Sequence, residues 1–170
     1  MWPPDLAYAS ELLKPLLETI HIATIGTAIT YFIASPISFL AARNTTFNSV
    51  TWLLGRMLLV GSRSVNTVVW GLIFVAIFGP GPVAGIWAIA FRSIGFMGKL
   101  VAEAIEEIDE GAVEAIEATG ASRLQVLWFG ILPQVLPVIY GTFVYRWDIN
   151  TRESTVLGFV GAGGIGILLY

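Results

Sequence analysis

Charged side chains set into apolar sequence are where this chain can do chemistry. Arg92 stands near the middle of one apolar run, and Arg146, Asp148, Arg152 and Glu153 crowd the end of another. A charge at the centre of a bilayer costs about 2.5–3.5 kcal/mol even on lenient insertion scales, so such residues face a bundle interior or an aqueous path. Two readings stay open. The group is either a structural ion-pair network at an interfacial helix end, or an anion pathway in which Arg92, Arg146 and Arg152 favour an oxyanion. Asp148 and Arg152, at i and i+4, neutralise each other if the helix continues through them. Enzyme chemistry has little to work with: one histidine, no cysteine, no nucleophile–base pair and no cluster with metal-ligand spacing. His21 and Glu18 are read as structural. The Gly161-Ala162-Gly163-Gly164 run lacks the Lys-Ser/Thr of a phosphate-binding Walker loop, and is read as close helix approach or an irregular turn.

The elements that would position these charges are membrane spans. The chain has 170 residues, 56% of them hydrophobic and 12% charged, against about 25% charged in a soluble domain. The formal charge of −3 and the lack of a basic patch exclude a nucleic-acid partner. No signal peptide is visible at Met1-Trp2-Pro3-Pro4. After a short polar lead to Pro15, the 24 residues Thr19 to Ala42 carry no formal charge, enough for a span even with Pro36 inside it. A second span is expected over Leu53–Phe78, stopped by Gly79-Pro80-Gly81-Pro82, and a third over Val83–Val101. The fourth covers Leu124–Tyr145. The charged cluster then follows it, and the glycine-rich run Ser154–Tyr170 makes at most a partial fifth. The expected fold class is all-α: a polytopic transmembrane helical bundle in one domain, residues 1–170. Arg43, Arg56, Lys99 and Arg123 flank the loops after spans one and three, which places residues 103–122 in the cytoplasm.

That loop is the long polar island of the chain. Glu103, Glu106, Glu107 and Glu110 share one face of an expected helix, which Gly111 interrupts. Ala112–Thr119 makes a second short helix, Gly120 closes it, and Ser122 with Gln125 has capping-box spacing. The bland reading is a solvated acidic loop.

The spacing Glu114-Ala115, Gly120, Leu132-Pro133 resembles the EAA motif of ABC-importer permeases, with Ile116 in place of its second alanine and Gly130 in place of its isoleucine. The longer run EAIEEIDEGAVEAIEATGASRLQV, then YRWDINTRESTVLGFVGAGGIG, is similar to the phosphonate-importer permeases, a likeness that extends from about Pro3 to the C-terminus. The resemblance implies a type I importer permease in the bacterial inner membrane. It also implies that residues 103–122 hold a coupling helix, with Glu114, Ala115, Ala118 and Gly120 meeting a cytoplasmic ATPase subunit. Further implied partners are a second permease copy, an extracytoplasmic substrate-binding protein and membrane lipid. The subunit itself would need no cofactor or metal and would not hydrolyse ATP. Family members usually continue into a further span, so the core is expected to lack its final span here. Without the resemblance, the same residues also allow a secondary transporter or channel for small anions; within it, a permease for another substrate class.

Overall fold

The computed structural model describes residues 6–169, and within them all regular structure is helical. The order is α1 (Leu6–Ala41), α2 (Ser49–Ser64), α3 (Thr67–Phe78), α4 (Pro82–Glu106) and α5 (Glu110–Glu117). A short α6 (Arg123–Gln125) passes through a π-helical segment (Val126–Ile131) into α7 (Leu132–Leu157). Tight 3-10 turns follow at Gly158–Val160 and Ile165–Leu169. Three stretches are long and apolar enough to cross a membrane: Glu11–Ala41, Pro82–Glu106 and Arg123–Ile167.

Four sequence expectations need correction. The second span is not one helix over residues 53–78: α2 and α3 meet at a bend of 93°. Val65 is extended there, and the Asn66 side chain accepts from the Val68 N–H, so a new helix starts instead of the old one continuing. The polar lead is not separate from the first span either, since α1 begins at Leu6 and runs through both Pro15 and Pro36. The charged cluster sits inside α7 rather than beyond a span end, and residues 154–157 finish that helix instead of opening a fifth. Finally, α4 ends at Glu106, and Asp109 caps α5 by accepting from the Gly111 N–H. Gly111 therefore lies within the short helix, not before it.

Hydroxyls make α1 compatible with burial. Thr27, Thr30, Ser35 and Ser38 each donate to the carbonyl four residues back, at 2.6–2.8 Å, so none needs water. The helix therefore keeps an apolar exterior while carrying oxygen lone pairs into the bundle.

α4 is the central post, touching α1, α2, α3 and α7. Two apolar clusters form around it. One joins Ala34, Leu59, Met97, Val101, Ile105 and Val135. The other joins Ile22, Ala84, Ala88, Ile89, Leu157 and Ala162. In α1 and α4 the chain passes from the second cluster to the first, and in α7 it runs the opposite way. α2 turns back along α4 and breaks at the level of Arg92, so α3 packs beside Phe91 through Trp70 and Phe74. After α7 the chain folds over the start of α1 and α4. Ile165 N–H donates to Thr19 Oγ1 at 2.8 Å, and Gly81 N–H to Gly161 O at 2.8 Å.

Close approach of α2 to α4 rests on Gly95. A Cβ there would collide with the Leu59 carbonyl and the Arg63 backbone, whereas a Cβ at Gly61 on the same α2 meets nothing within 4 Å. Gly95→Leu is expected to lower stability by about 1–3 kcal/mol through overpacking. Gly61→Leu should stay within about 0.5 kcal/mol. Thermal unfolding in detergent, read side by side for the two variants, checks the contrast.

Candidate functional site

Between the two apolar clusters lies a layer of polar side chains. Arg146 on α7 is 3% exposed, and its Nε–H donates to Ser93 Oγ on α4 at 2.9 Å. Ser93 Oγ donates onward to Asn150 Oδ1 at 3.0 Å, and Asn150 Nδ2 donates to Thr27 Oγ1 on α1 at 2.8 Å. Thr27 ends the chain on the Ala23 carbonyl at 2.6 Å. Every link has one donor and one acceptor, so four side chains from three helices are joined in a single directional relay.

The carboxylate of Glu153 completes the layer. It accepts from Arg92 Nη1 at 2.9 Å and from Thr67 Oγ1 at 2.6 Å, and it lies 3.5 Å from Arg146 Nη2. Thr67 opens α3, so the positive end of that helix dipole also faces the carboxylate. Arg146 further sits over the Phe96 ring, 5.2 Å from its centroid. Arg92 Nε and Arg146 Nη2 are buried without a hydrogen-bond partner.

The five charged residues singled out in the sequence are thus split. Arg92, Arg146 and Glu153 converge on one locus. Asp148 and Arg152 pair with each other at 2.6 Å on the exposed face of α7, away from it. The helix does continue through them, so their i, i+4 pairing forms, and they do not join the locus of the other three. Thr27, Thr67, Ser93 and Asn150 were not picked out. Helical spacing held the signal, because Asn150 follows Arg146 by four residues and Ser93 adjoins Arg92.

The polar end of the bundle is built around Glu106. Its carboxylate takes a forked bond from Arg56 Nη2, at 2.9 and 3.0 Å, and caps the Arg43 N–H at 2.9 Å. The bland reading of a solvated acidic loop therefore fails at Glu106, which ties α4 to α2 and to the end of α1. Beyond it, Glu114, Ala115, Ala118 and Gly120 are all exposed on or just after α5. Gly120 takes a left-handed φ of 81°, and Ser122 N–H donates to Gln125 Oε1 at 2.8 Å. The turn and the cap fall where spacing put them. Asp109 N–H donates to Gln134 Oε1 at 2.9 Å, and Gln134 Nε2 donates to the Gly130 carbonyl at 2.8 Å, which fastens α5 to the π segment. That segment precedes Pro133, whose ring and missing N–H forbid an ordinary turn there.

The two departures from the EAA motif meet in space. A Cβ at Gly130 would stand 3.3 Å from Ile116 Cδ1 and 3.6 Å from Val113 Cα. The larger residue at 116 fills the room that the smaller residue at 130 leaves. The spacing of the motif is thus kept while its packing is redistributed.

Apolar spans around a buried polar layer, with one short exposed helix fastened beyond them, define a polytopic helical membrane protein. The chain belongs to the family of binding-protein-dependent transport system inner membrane components, whose pattern matches residues 34–170. It is 44% identical to the phosphite transport system permease protein PtxC of Stutzerimonas stutzeri over 167 residues, 98% of this chain and 61% of that protein. It is 40% identical to the phosphate-import permease protein PhnE of Mycolicibacterium smegmatis over 171 residues, 100% of this chain and 32% of that protein. The chain therefore spans less than two thirds of either relative. Its fold matches a chain of the methionine ABC transporter MetNI in an inward-facing conformation, with a TM-score of 0.82 at 23% identity, covering 92% of this chain and 77% of that one.

Asn150→Leu removes both the acceptor of Ser93 and the donor to Thr27 in a buried site, and should cost about 1–3 kcal/mol per group left unsatisfied. A lowered thermal midpoint with retained helical circular dichroism is the expected reading. Gly130→Ile should destabilise the anchoring of α5, and adding Ile116→Ala should restore it. Limited proteolysis at the α5 loop would detect both changes, and no rescue by the second substitution would show that the pair is not compensating.

Proposed function

We propose that this chain is the permease subunit of an ATP-driven importer of phosphorus oxyanions, whether phosphite, phosphate or a phosphonate. The observation that carries the substrate class is the similarity, along nearly the whole chain, to permeases named for phosphite transport and phosphate import. α5 is the ATPase-docking element in this reading, and residues 103–122 are its cytoplasmic loop. Several features support that role. Arg43, Arg56 and Lys99 gather at the same end of the bundle as α5, in line with a cytoplasmic face. Small exposed side chains at Ala115 and Ala118 allow close approach by a partner. Glu114 offers an exposed anionic contact near the middle of α5.

The subunit itself hydrolyses no ATP. Nucleotide-driven closure of a separate ATPase pair acts through α5 on the spans, while an extracytoplasmic binding protein delivers the substrate and contributes much of its selection. A second permease copy supplies the other half of the pathway. The exposed apolar faces of α2 and α3, including Leu54, Leu58, Leu72 and Ile77, are available to that copy or to lipid.

The deciding experiment is co-purification with an ATPase subunit in mild detergent, followed by uptake of labelled phosphite into proteoliposomes. Uptake should require ATP and the ATPase; uptake by the chain without an ATPase would favour a secondary transporter instead. Gly120→Asp, at a left-handed position with open space around it, is expected to leave the protein in the membrane and abolish ATP-driven uptake. Wild-type uptake by that variant would remove α5 from the coupling role.

A further inference from the structure

The break between α2 and α3 opens a cavity of about 320 Å³ whose walls include Arg63, Ser64, Arg92 and Arg146 together with Val60 and Phe96. Arginines from three helices therefore line one space at the level of the polar layer. We propose that this cavity is an oxyanion-binding site, in which Arg63, Arg92 and Arg146 hold a tetrahedral phosphorus oxyanion and Glu153 is the resident counter-ion. The choice of a phosphorus oxyanion rests on the transport reading above; the cavity and its charge do not.

Charge makes the first argument. Glu153 is the one carboxylate ion-paired to Arg92 and Arg146, and Arg63 has no ion pair among the described residues. Three positive groups against one negative group leave two positive charges in excess, the complement of a doubly ionised oxyanion. Arg146 is buried and Arg92 partly buried, so with one carboxylate between them one positive charge stays uncompensated inside the bundle, and the exposed Arg63 adds a second at the mouth of the space; an anion entering it would neutralise both.

Donors that meet no protein acceptor make the second argument: the Arg63 guanidinium is exposed, whereas Arg92 Nε and Arg146 Nη2 lie behind the cavity wall and reach a ligand only after a small side-chain shift. Ser93 takes the Arg146 Nε–H, while the buried Arg146 Nη2 reaches no acceptor within hydrogen-bond geometry. Arg92 spends Nη1 on Glu153 and Thr67, and its Nε is likewise unpartnered. Arg63 makes no hydrogen bond through its side chain among the described residues. Guanidinium forks match phosphorus oxyanions in planar, two-point geometry, which a lysine ammonium does not provide.

The backbone supplies the third argument. Irregular backbone at membrane depth is tolerated where it is buried in protein or lines a water-filled cavity, and interrupted helices form ion and substrate sites in other transporters. The corner at Val65-Asn66 is such an interruption, and Arg63 stands two residues before it. The cavity falls at the low end of the roughly 300–1,000 Å³ usual for small-ligand sites. Val60 and Phe96 close its apolar side.

The test uses the full chain in lipid nanodiscs, titrated calorimetrically with sodium phosphite and with inorganic phosphate, and with sodium chloride as the control. Saturable binding of both oxyanions is expected. Arg63→Gln should weaken it about tenfold or more, the value of one charge-assisted contact. Because Arg63 is exposed and unpaired, this variant should keep the wild-type thermal midpoint. Glu153→Gln should act in the opposite sense and tighten binding several-fold, since it removes the competing carboxylate while keeping an acceptor for Arg92 and Thr67. A purely structural cluster would not give opposite signs. No saturable binding by a folded chain, or binding indifferent to Arg63→Gln, would overturn the site. The transport reading is tested separately: a chain that docks its ATPase but binds no oxyanion loses the site alone. A chain that binds oxyanion but docks no ATPase loses the coupling role alone.

Discussion

Every long helix of this molecule is constrained by one buried cation. Arg146 is nearly sealed from solvent, and a guanidinium in that position is tolerable only if its donors are met from inside the bundle. Ser93 meets one, and Glu153 stands close enough to neutralise part of the charge. Those two requirements already specify how α7 lies against α4. The relay through Asn150 to Thr27 then extends the specification to α1. Hydrophobic contact alone would let three apolar helices slide along one another with little change in energy, because lipid tails are as apolar as the helix surfaces. Here a polar layer between two apolar clusters fixes their register, since a shift of one turn would strand Arg146 opposite alanine or isoleucine.

A second brace works at the polar end and uses the same logic under weaker conditions. Arg56 and Glu106 are both partly exposed, so their forked pair contributes on the order of 1 kcal/mol rather than the larger amount of a buried pair. Its value is geometric. One carboxylate holds α2 and the backbone at the end of α1 against the last turn of α4, immediately before the chain leaves for α5. α4 therefore carries a fixed point at each functional level: Arg92 and Ser93 in the polar layer, and Glu106 beside the exposed loop. A displacement of α5 transmitted to α4 would reach the polar layer along a single continuous helix, with no hinge between Pro82 and Glu106.

The sequence made some of this legible and concealed the rest for physical reasons. Uncharged length revealed the α1 and α4 spans, because that criterion depends only on composition. Gly120 and the Ser122–Gln125 pair were readable since turns and caps are local chemistry. The bend between α2 and α3 was hidden inside uninterrupted hydrophobicity: Asn66 is a modest polar residue, and its capping role depends on Val65 being extended. The charged cluster misled in the opposite direction. Charge suggested a helix end at the membrane surface, but Arg146 and Glu153 find partners on α4 that no local pattern displays. Asp148 and Arg152 were grouped with them by proximity in sequence, although helical geometry turns that pair outward. The residues that make the layer work, Thr27, Ser93 and Asn150, are small and neutral, so their burial became visible only once three helices were assembled.

The pairing of Ile116 with Gly130 bears on how a motif should be read in such a chain. Taken one at a time, the two departures weaken the likeness to the EAA pattern, since each replaces a residue that the pattern specifies. Taken together they conserve volume, because the added side chain at 116 occupies the space given up at 130. What the motif preserves is then the distance between α5 and the start of α7, held also by Gln134 and by the π segment before Pro133. A short exposed helix has little stability of its own. Its position is set by this small apolar and amide contact, so the residues that orient α5 lie mostly outside it, on the segment leading into α7.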